Sequence, residues 1–178
     1  MSALNKIIKD RLIKGIVSMD LPASNPPLEV TGLELQAAIK KALGHSLHIR
    51  EVDTGSCGAC EAEIIAATNP LYDLQRFGVN FVASPKHADA LLVTGPVSKN
   101  MLLALQKTYA NVPEPKFVIT LGDCANGGGP FKNSYYVENG VKDILPVTLH
   151  IPGCPPTPLE IINHLLAFMK QLNKKDKS

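Results

Sequence analysis

The residues of this sequence best suited to chemistry are its four cysteines, Cys57, Cys60, Cys124 and Cys154. The first two form a Cys-x2-Cys pair, and each of the others stands alone in a loop rich in glycine and proline. Thiolates are soft ligands that suit zinc or an iron–sulfur cluster. Four thiols are sufficient for one such centre.

The N-terminal region bears on how these thiols are used. Lysine, arginine and aspartate interrupt every apolar run over residues 4–17, which is not typical of a signal peptide. No stretch approaches the roughly 20 apolar residues of a membrane-spanning helix. We therefore expect a cytosolic environment, in which stable disulfides are uncommon and metal or redox chemistry is favoured.

Apolar runs bounded by turn residues predict strands over 47–52, 79–82, 90–93, 117–121 and 147–151. Helices are predicted over 32–43, 62–68, 101–109 and 158–172, the first with Thr31 as its N-cap and Glu34 as the capping-box partner. This alternation indicates an α/β fold with a parallel sheet flanked by helices. The cysteines follow the first, fourth and fifth strands, so they should meet at the carboxyl edge of the sheet.

The length of 178 residues suits one main domain, which we place at 47–172. Residues 1–46 are expected to form an N-terminal helical extension with an amphipathic helix over 4–17 and a proline-rich linker over 20–27. Residues 173–178 are expected to form a basic tail. The net charge of +2 argues against a nucleic-acid binder, which would carry a concentrated basic face.

The spacing of the cysteines bears on the identity of the metal. Structural zinc sites usually use two close pairs, whereas this chain has one pair and two single cysteines. The Gly-rich segment 122–129 would allow close backbone approach to a bulky ligand and could aim its amides at cluster sulfides. The proline-rich segment 152–156 would fix the fourth thiolate and shield a cluster from water. An iron–sulfur cluster is favoured, while zinc and a thiol-redox pair at Cys57 and Cys60 stay open.

Several motifs extend this pattern over residues 55 to about 167. They occur at 69–78 (NPLYDLQRFG), 84–89 (SPKHAD), 93–97 (VTGPV), 113–116 (PEPK), 122–128 (GDCANGG) and 152–156 (PGCPP). In order and spacing this region resembles the small iron–sulfur subunit shared by [NiFe] hydrogenases and respiratory complex I, where it is the 20 kDa subunit. The resemblance implies a flavodoxin-like three-layer sandwich that holds one [4Fe–4S] cluster. Its ligands map onto Cys57, Cys60, Cys124 and Cys154.

The Cys57–Cys60 spacing separates the branches of this family. Complex I places its first two ligands side by side, whereas two residues intervene here, as in hydrogenases. The chain is thus most similar to the small subunit of membrane-bound, energy-converting [NiFe] hydrogenases of the Ech and formate hydrogenlyase types. The alternative is the equivalent subunit of a complex I-like oxidoreductase that acts on a quinone or a sulfur compound.

The resemblance also implies a role and a location. The chain would relay electrons between a ferredoxin-like subunit and the nickel–iron site of a large subunit, in a complex with membrane subunits. It carries no nickel-ligand cysteine pairs, so it would not be catalytic alone. It would sit peripherally on the cytoplasmic side of the membrane.

Charged residues near the cysteines have two interpretations each. Glu63, where the family also carries Glu, could pass protons, as could its neighbour Glu61; alternatively, both favour the N-terminus of their helix through its dipole. Tyr72, Asp73 and Arg76 are expected near the large subunit, or Asp73 and Arg76 form a loop-fixing salt bridge. Asp53 and Asp123 are interpreted as orienting their loops. Three histidines without metal-ligand spacing are interpreted as structural: His48, His87 and His150.

Overall fold

The computed structural model of the chain describes residues 26–175. Five parallel strands form one sheet in the order β2-β1-β3-β4-β5. This order is that of flavodoxin-like folds, which confirms the predicted fold class. The strands are β1 Leu47–Asp53, β2 Val79–Phe81, β3 Ala90–Thr94, β4 Phe117–Leu121 and β5 Leu149–Ile151.

Helices cover both faces of the sheet and complete three layers. They are α1 Pro26–Leu43, α2 Ala59–Ala67, α3 Lys99–Asn111, α4 Gly122–Gly127 and α5 Pro158–Lys175. One core cluster joins α1, α2 and α5 to the sheet and contains Leu35 and Ile162. The other joins α3 to the opposite face and contains Leu91 and Leu105. Side chains of β3 contribute to both clusters, as expected of a central strand whose two faces are buried.

The first described helix begins earlier than the sequence predicts. It starts at Pro26, so Thr31 lies inside the helix and the predicted N-cap is wrong. Proline suits the first turn of a helix, because its missing N–H has no intrahelical partner there. The predictions for residues 1–25, including the helix over 4–17, lie outside the described residues, as do residues 176–178.

Contacts between α1 and α5 bring the N-terminal helix into the main core. Glu34 Oε2 lies 2.6 Å from Lys170 Nζ, and Asn173 Nδ2 donates to the Ala38 carbonyl at 3.0 Å. Leu35 and Ile39 of α1 are fully buried. The helix therefore packs as part of the domain's outer layer.

Two helices near the cysteines also differ from expectation. Helix α2 begins at Ala59 rather than 62, directly after Gly58, where the chain turns in the left-handed region. Helix α4 was not predicted, because two glycines and an asparagine lower the helical propensity of its segment. Both differences place a cysteine inside a helix, Cys60 in α2 and Cys124 in α4.

Across residues 26–175, none of the helices combines the length and the apolar character needed to cross a membrane.

Candidate metal centre

The structure brings the four cysteines to the carboxyl edge of the sheet. Cys57 lies in the loop after β1 and Cys154 in the loop after β5, and both are exposed. Cys60, in the first turn of α2, and Cys124, in α4, are half-buried. All four are unpaired thiols. The edge therefore has an outer pair of thiols and an inner pair.

The proximity of the four thiols is visible in their electrostatics. Burial raises the pKa of Cys60 to about 12, with further contributions from Glu61 and from the other three cysteines. Burial also raises the pKa of Cys124, helped by Cys154 and Cys57. Each thiolate thus disfavours ionisation of its neighbours, a situation that a bound cation relieves.

Two glycines allow the backbone to approach the inner thiols closely. At Gly122, φ is +82° and an added Cβ would lie 2.8 Å from Cys60 Sγ. At Gly129, φ is +48° and an added Cβ would lie 3.0 Å from Cys124 Sγ. The Gly-rich segment thus approaches two of the thiols closely, and its approach to a bound ligand stays a prediction. The backbone amides of this segment were expected to be free to point at cluster sulfides. The Gly128 amide is not free, since it donates to the Cys124 carbonyl at 2.9 Å.

Aspartates orient the cysteine loops, as predicted. Asp53 Oδ1 accepts hydrogen bonds from the amides of Gly55 and Ser56, both at 2.8 Å. Asp123 Oδ1 accepts from the Gly153 amide at 3.1 Å, and the Asp123 amide donates to the Gly153 carbonyl at 2.9 Å. The second pair joins the loop of Cys124 to the loop of Cys154.

A buried threonine that the sequence interpretation missed secures the loop before Cys57. Thr54 Oγ1 donates to the Thr94 carbonyl at 2.6 Å and accepts from the Val97 amide at 3.1 Å. Both bonds tie the end of β1 to the loop after β3. Its only sequence signal is a polar residue directly after an apolar strand.

The loop after β5 leaves its cysteine accessible, and shielding of a bound cluster by this loop stays a prediction. Pro156 is buried, but Cys154 itself is exposed. Together with exposed Cys57, it leaves the outer side of the site open in this chain.

The neighbouring carboxylates differ in their surroundings. Both oxygens of Glu61 are buried, and among the described residues they have no hydrogen-bond partner. Burial raises the pKa of Glu51, and the nearby Glu61 and Asp53 raise it further. Glu61 lies in the first turn of α2, where the helix dipole favours it. Glu63 is half-buried and lies beyond that turn, so the dipole does not account for it.

Arg76 forms a network with two carboxylates. Its guanidinium donates to both carboxylate oxygens of Glu29 in α1, at 3.2 and 2.9 Å, and its Nε lies 3.3 Å from Asp73 Oδ2. The predicted Asp73–Arg76 salt bridge is therefore present, with a third member that the sequence did not indicate.

The spacing of the thiols bears on what they can bind. In the described residues, a set of three ligand atoms within 4.8 Å of one another occurs at His45, His48 and Asp89 and not among the cysteines. Sulfurs bound at 2.3 Å to one tetrahedral zinc would lie about 3.8 Å apart. The thiols are therefore spread more widely than a single zinc ion requires.

The sheet order and the thiol-lined edge define a flavodoxin-like α/β protein with a candidate metal centre. Residues 57–168 match the family model of the NADH ubiquinone oxidoreductase 20 Kd subunit. The chain belongs to this family, which confirms the resemblance seen in the sequence.

Relatives and solved structures place the chain more finely within the family. It is 43% identical over 138 residues to the probable membrane-bound hydrogenase subunit mbhJ of Pyrococcus furiosus, covering 78% of this chain and 83% of that protein. It is 44% identical over 124 residues to formate hydrogenlyase subunit 7 of Escherichia coli, covering 70% of this chain. That match spans 49% of the formate hydrogenlyase subunit, about half of its length.

Among solved structures, a chain of the archaeal membrane-bound sulfane sulfur reductase superposes with a TM-score of 0.66 at 29% identity, covering 80% of this chain and 76% of that one. A chain of the [NiFeSe] hydrogenase from Desulfovibrio vulgaris Hildenborough superposes with a TM-score of 0.56 at 18% identity, covering 75% and 62%. The second match supports the fold alone.

Proposed function

We propose that this chain is the electron-transfer subunit of a membrane-bound, hydrogenase-type oxidoreductase complex and carries one [4Fe–4S] cluster on Cys57, Cys60, Cys124 and Cys154. The observation that carries the proposal is the convergence of four unpaired thiols, two on loops and two on the helices α2 and α4, at one edge of the sheet. Their spread, wider than one zinc ion needs, favours a group with several metal atoms.

The four cysteines would hold such a group as an inner pair and an outer pair. When bound, a cluster of this type accepts and releases single electrons. Cys60 and Cys124 would hold its inner side, where Gly122 and Gly129 leave room beside the thiols. Cys57 and Cys154 would hold its outer side, which is exposed and so within reach of a partner subunit. A site that passes electrons onward needs such an open side.

The proposed partners are a large catalytic subunit, a ferredoxin-like subunit and membrane subunits, with this chain bound peripherally on the cytoplasmic side. Support comes from the relatives, which are named as subunits of a membrane-bound hydrogenase and of formate hydrogenlyase. Large exposed apolar side chains in α2 and in the segment after it agree with a protein partner. Ile65 is 70% exposed and Leu71 is 64% exposed.

A second candidate is the equivalent subunit of a complex I-like oxidoreductase that reduces a sulfur compound or a quinone. The superposition on the sulfane sulfur reductase chain favours it. Assay of the purified complex separates the two candidates: hydrogen turnover supports the hydrogenase, and sulfane sulfur reduction without hydrogen turnover supports the alternative. Two Cys-x2-Cys pairs in the large partner subunit would indicate a nickel–iron site.

Anaerobic purification followed by metal analysis tests the cluster directly. We expect about four iron atoms and four acid-labile sulfides per chain, with an electron paramagnetic resonance signal on reduction. Replacing Cys124 with serine should remove that signal, whereas replacing exposed Ser134 with alanine should not. One zinc per chain and no iron would overturn the proposal.

A further inference from the structure

We propose that His45, His48 and Asp89 form a second metal site, for Zn²⁺ or a similar divalent transition metal. His45 precedes β1, His48 lies on β1, and Asp89 precedes β3. One ligand atom from each lies within 4.8 Å of the others. The site is at the amino edge of the sheet, opposite the four cysteines, and does not depend on the proposed function.

The carboxylate of this triad is held in place by the sheet. The His48 amide donates to Asp89 Oδ2 at 2.8 Å, and the Asp89 amide donates to the His48 carbonyl at 2.8 Å. Asp89 is mostly buried, with 23% of its side chain exposed. A ligand oriented in this way loses little conformational entropy on binding a metal.

The protonation state of His45 also suits a metal ligand. Its Nδ1 lies 2.8 Å from the Ser46 carbonyl, an acceptor that requires a proton on Nδ1. The lone pair of the neutral ring is therefore on Nε2, which lies 3.8 Å from Asp89 Oδ1. Histidine ligands of metals commonly donate their other ring nitrogen to a carbonyl in this manner.

The imidazole nitrogens and the Asp89 carboxylate are too far apart for a direct hydrogen bond, and their separation suits an ion placed between them. His48 Nδ1 lies 3.9 Å from Asp89 Oδ2, and neither histidine is close enough to hydrogen-bond to the carboxylate through its ring. Ligand atoms about 2.1 Å from a tetrahedral zinc are about 3.4 Å apart, so each of these two nitrogen–oxygen distances would have to shorten by roughly 0.5 Å on binding.

An ion pair is the competing explanation of this triad. At 3.8 and 3.9 Å, however, both nitrogen–oxygen distances are longer than a charge-assisted hydrogen bond, and the two rings stack with centroids 5.7 Å apart, so that both turn toward the same carboxylate. One divalent ion satisfies both neutral rings and the carboxylate. The His45 side chain is 53% exposed, which provides an entry path and room for a water ligand.

The test is a titration of the anaerobically purified protein with Co²⁺ and Zn²⁺, in which thiolate binding is recognised by its sulfur-to-cobalt charge-transfer absorption. We expect one equivalent bound with nitrogen and oxygen ligand-field bands alone. His45→Gln and Asp89→Asn should weaken binding by at least roughly tenfold. His87→Gln is the matched control, because His87 is exposed two residues from Asp89 and outside the triad.

His45→Gln changes an exposed side chain, so circular dichroism and iron content should match the wild type and exclude misfolding. Equal binding by wild type and His45→Gln, binding with the thiolate signature only, or no binding at neutral pH would each overturn the second site. Equal binding or no binding leaves the cysteine proposal untouched, whereas a thiolate signature would count against a filled cluster as well; loss of iron from the cysteines leaves the second site untouched.

Discussion

Asp123 and Gly153 are joined by two hydrogen bonds that run in opposite directions between the loops of Cys124 and Cys154. The Asp123 amide donates to the Gly153 carbonyl at 2.9 Å, and the Gly153 amide donates to Asp123 Oδ1 at 3.1 Å. The pair lies one residue before each cysteine. It therefore sets the relative position of two thiols whose loops follow different strands.

Replacing Asp123 with alanine removes the side-chain half of this link. We expect a loss of about 1 kcal/mol in the free energy of unfolding and a lower iron content per chain, because Cys154 loses its orientation. Asp123→Asn keeps an oxygen acceptor and should retain most of the iron. Asp143→Ala removes the same charge from another exposed position and is the control. Equal iron in Asp123→Ala and Asp143→Ala would show that the link does not position the thiols.

Gly122 has a positive φ and leaves space beside the Cys60 thiol, and two matched alanine variants separate these effects. Gly122 and Gly44 both have positive φ, +82° and +76°, but only Gly122 would place a Cβ beside a thiol. Alanine should cost about 1–2 kcal/mol of stability at either site through backbone strain. Gly122→Ala should in addition lose most of its iron, whereas Gly44→Ala should keep it. Urea unfolding measures the loss of stability, and iron analysis measures the loss of the metal. Full iron content in Gly122→Ala would show that the space beside the Cys60 thiol is not needed for metal binding.

The iron-free protein should show a strong order of thiol reactivity. With a pKa of about 12, Cys60 has a thousandth of the thiolate of an ordinary cysteine at pH 8, partly offset by higher intrinsic nucleophilicity. We expect it to react with iodoacetamide on the order of 50-fold more slowly than exposed Cys57, as measured by peptide mass spectrometry. In urea the two rates should converge. Equal rates in the folded protein would refute the burial of Cys60.

The raised pKa of Cys60 has a further consequence for stability. In the folded iron-free protein the thiol keeps its proton above 9.0, the ordinary pKa of a cysteine, whereas the unfolded chain releases it. The folded state therefore binds more protons between pH 9 and about 12, and stability falls as the pH rises through that window. Unfolding in urea at several alkaline pH values checks this direction, and a Cys60→Ser variant should flatten the dependence.

Glu63 is the carboxylate whose presence the helix dipole does not explain. If it passes protons in the assembled complex, Glu63→Gln should slow hydrogen turnover by roughly 100-fold while the cluster signal stays intact. Glu138→Gln is the control, a half-buried glutamate in the loop after α4. Unchanged turnover in Glu63→Gln would reject the relay.

Much of the fold follows from local sequence patterns. The five strands lie where the apolar residues between turn signals predicted them, most clearly β3 and β4, because a strand buried on both faces is continuously apolar. The alternation of strands and helices was enough to predict parallel pairing. That pairing in turn predicted the edge at which the four cysteines meet.

Helix boundaries and side-chain environments depended on tertiary contacts. Thr31 and Glu34 matched a capping box, yet α1 continues back to Pro26 as it packs along α5. The burial of the Glu61 carboxylate also depended on packing, because Glu61 and Glu63 lie two positions apart in the same helix. The start of that helix was predicted three residues late.

The sequence by itself determined the ligand chemistry of the cysteine site, because thiol type and strand-end position are both local properties. Only the tertiary structure decided the Asp123–Gly153 link and the His45, His48 and Asp89 triad. Asp89 is 41 residues from His48 and reaches it because β1 pairs with β3, with Ile49 beside Ala90. Such contacts arise from strand register, which no local pattern of residues specifies.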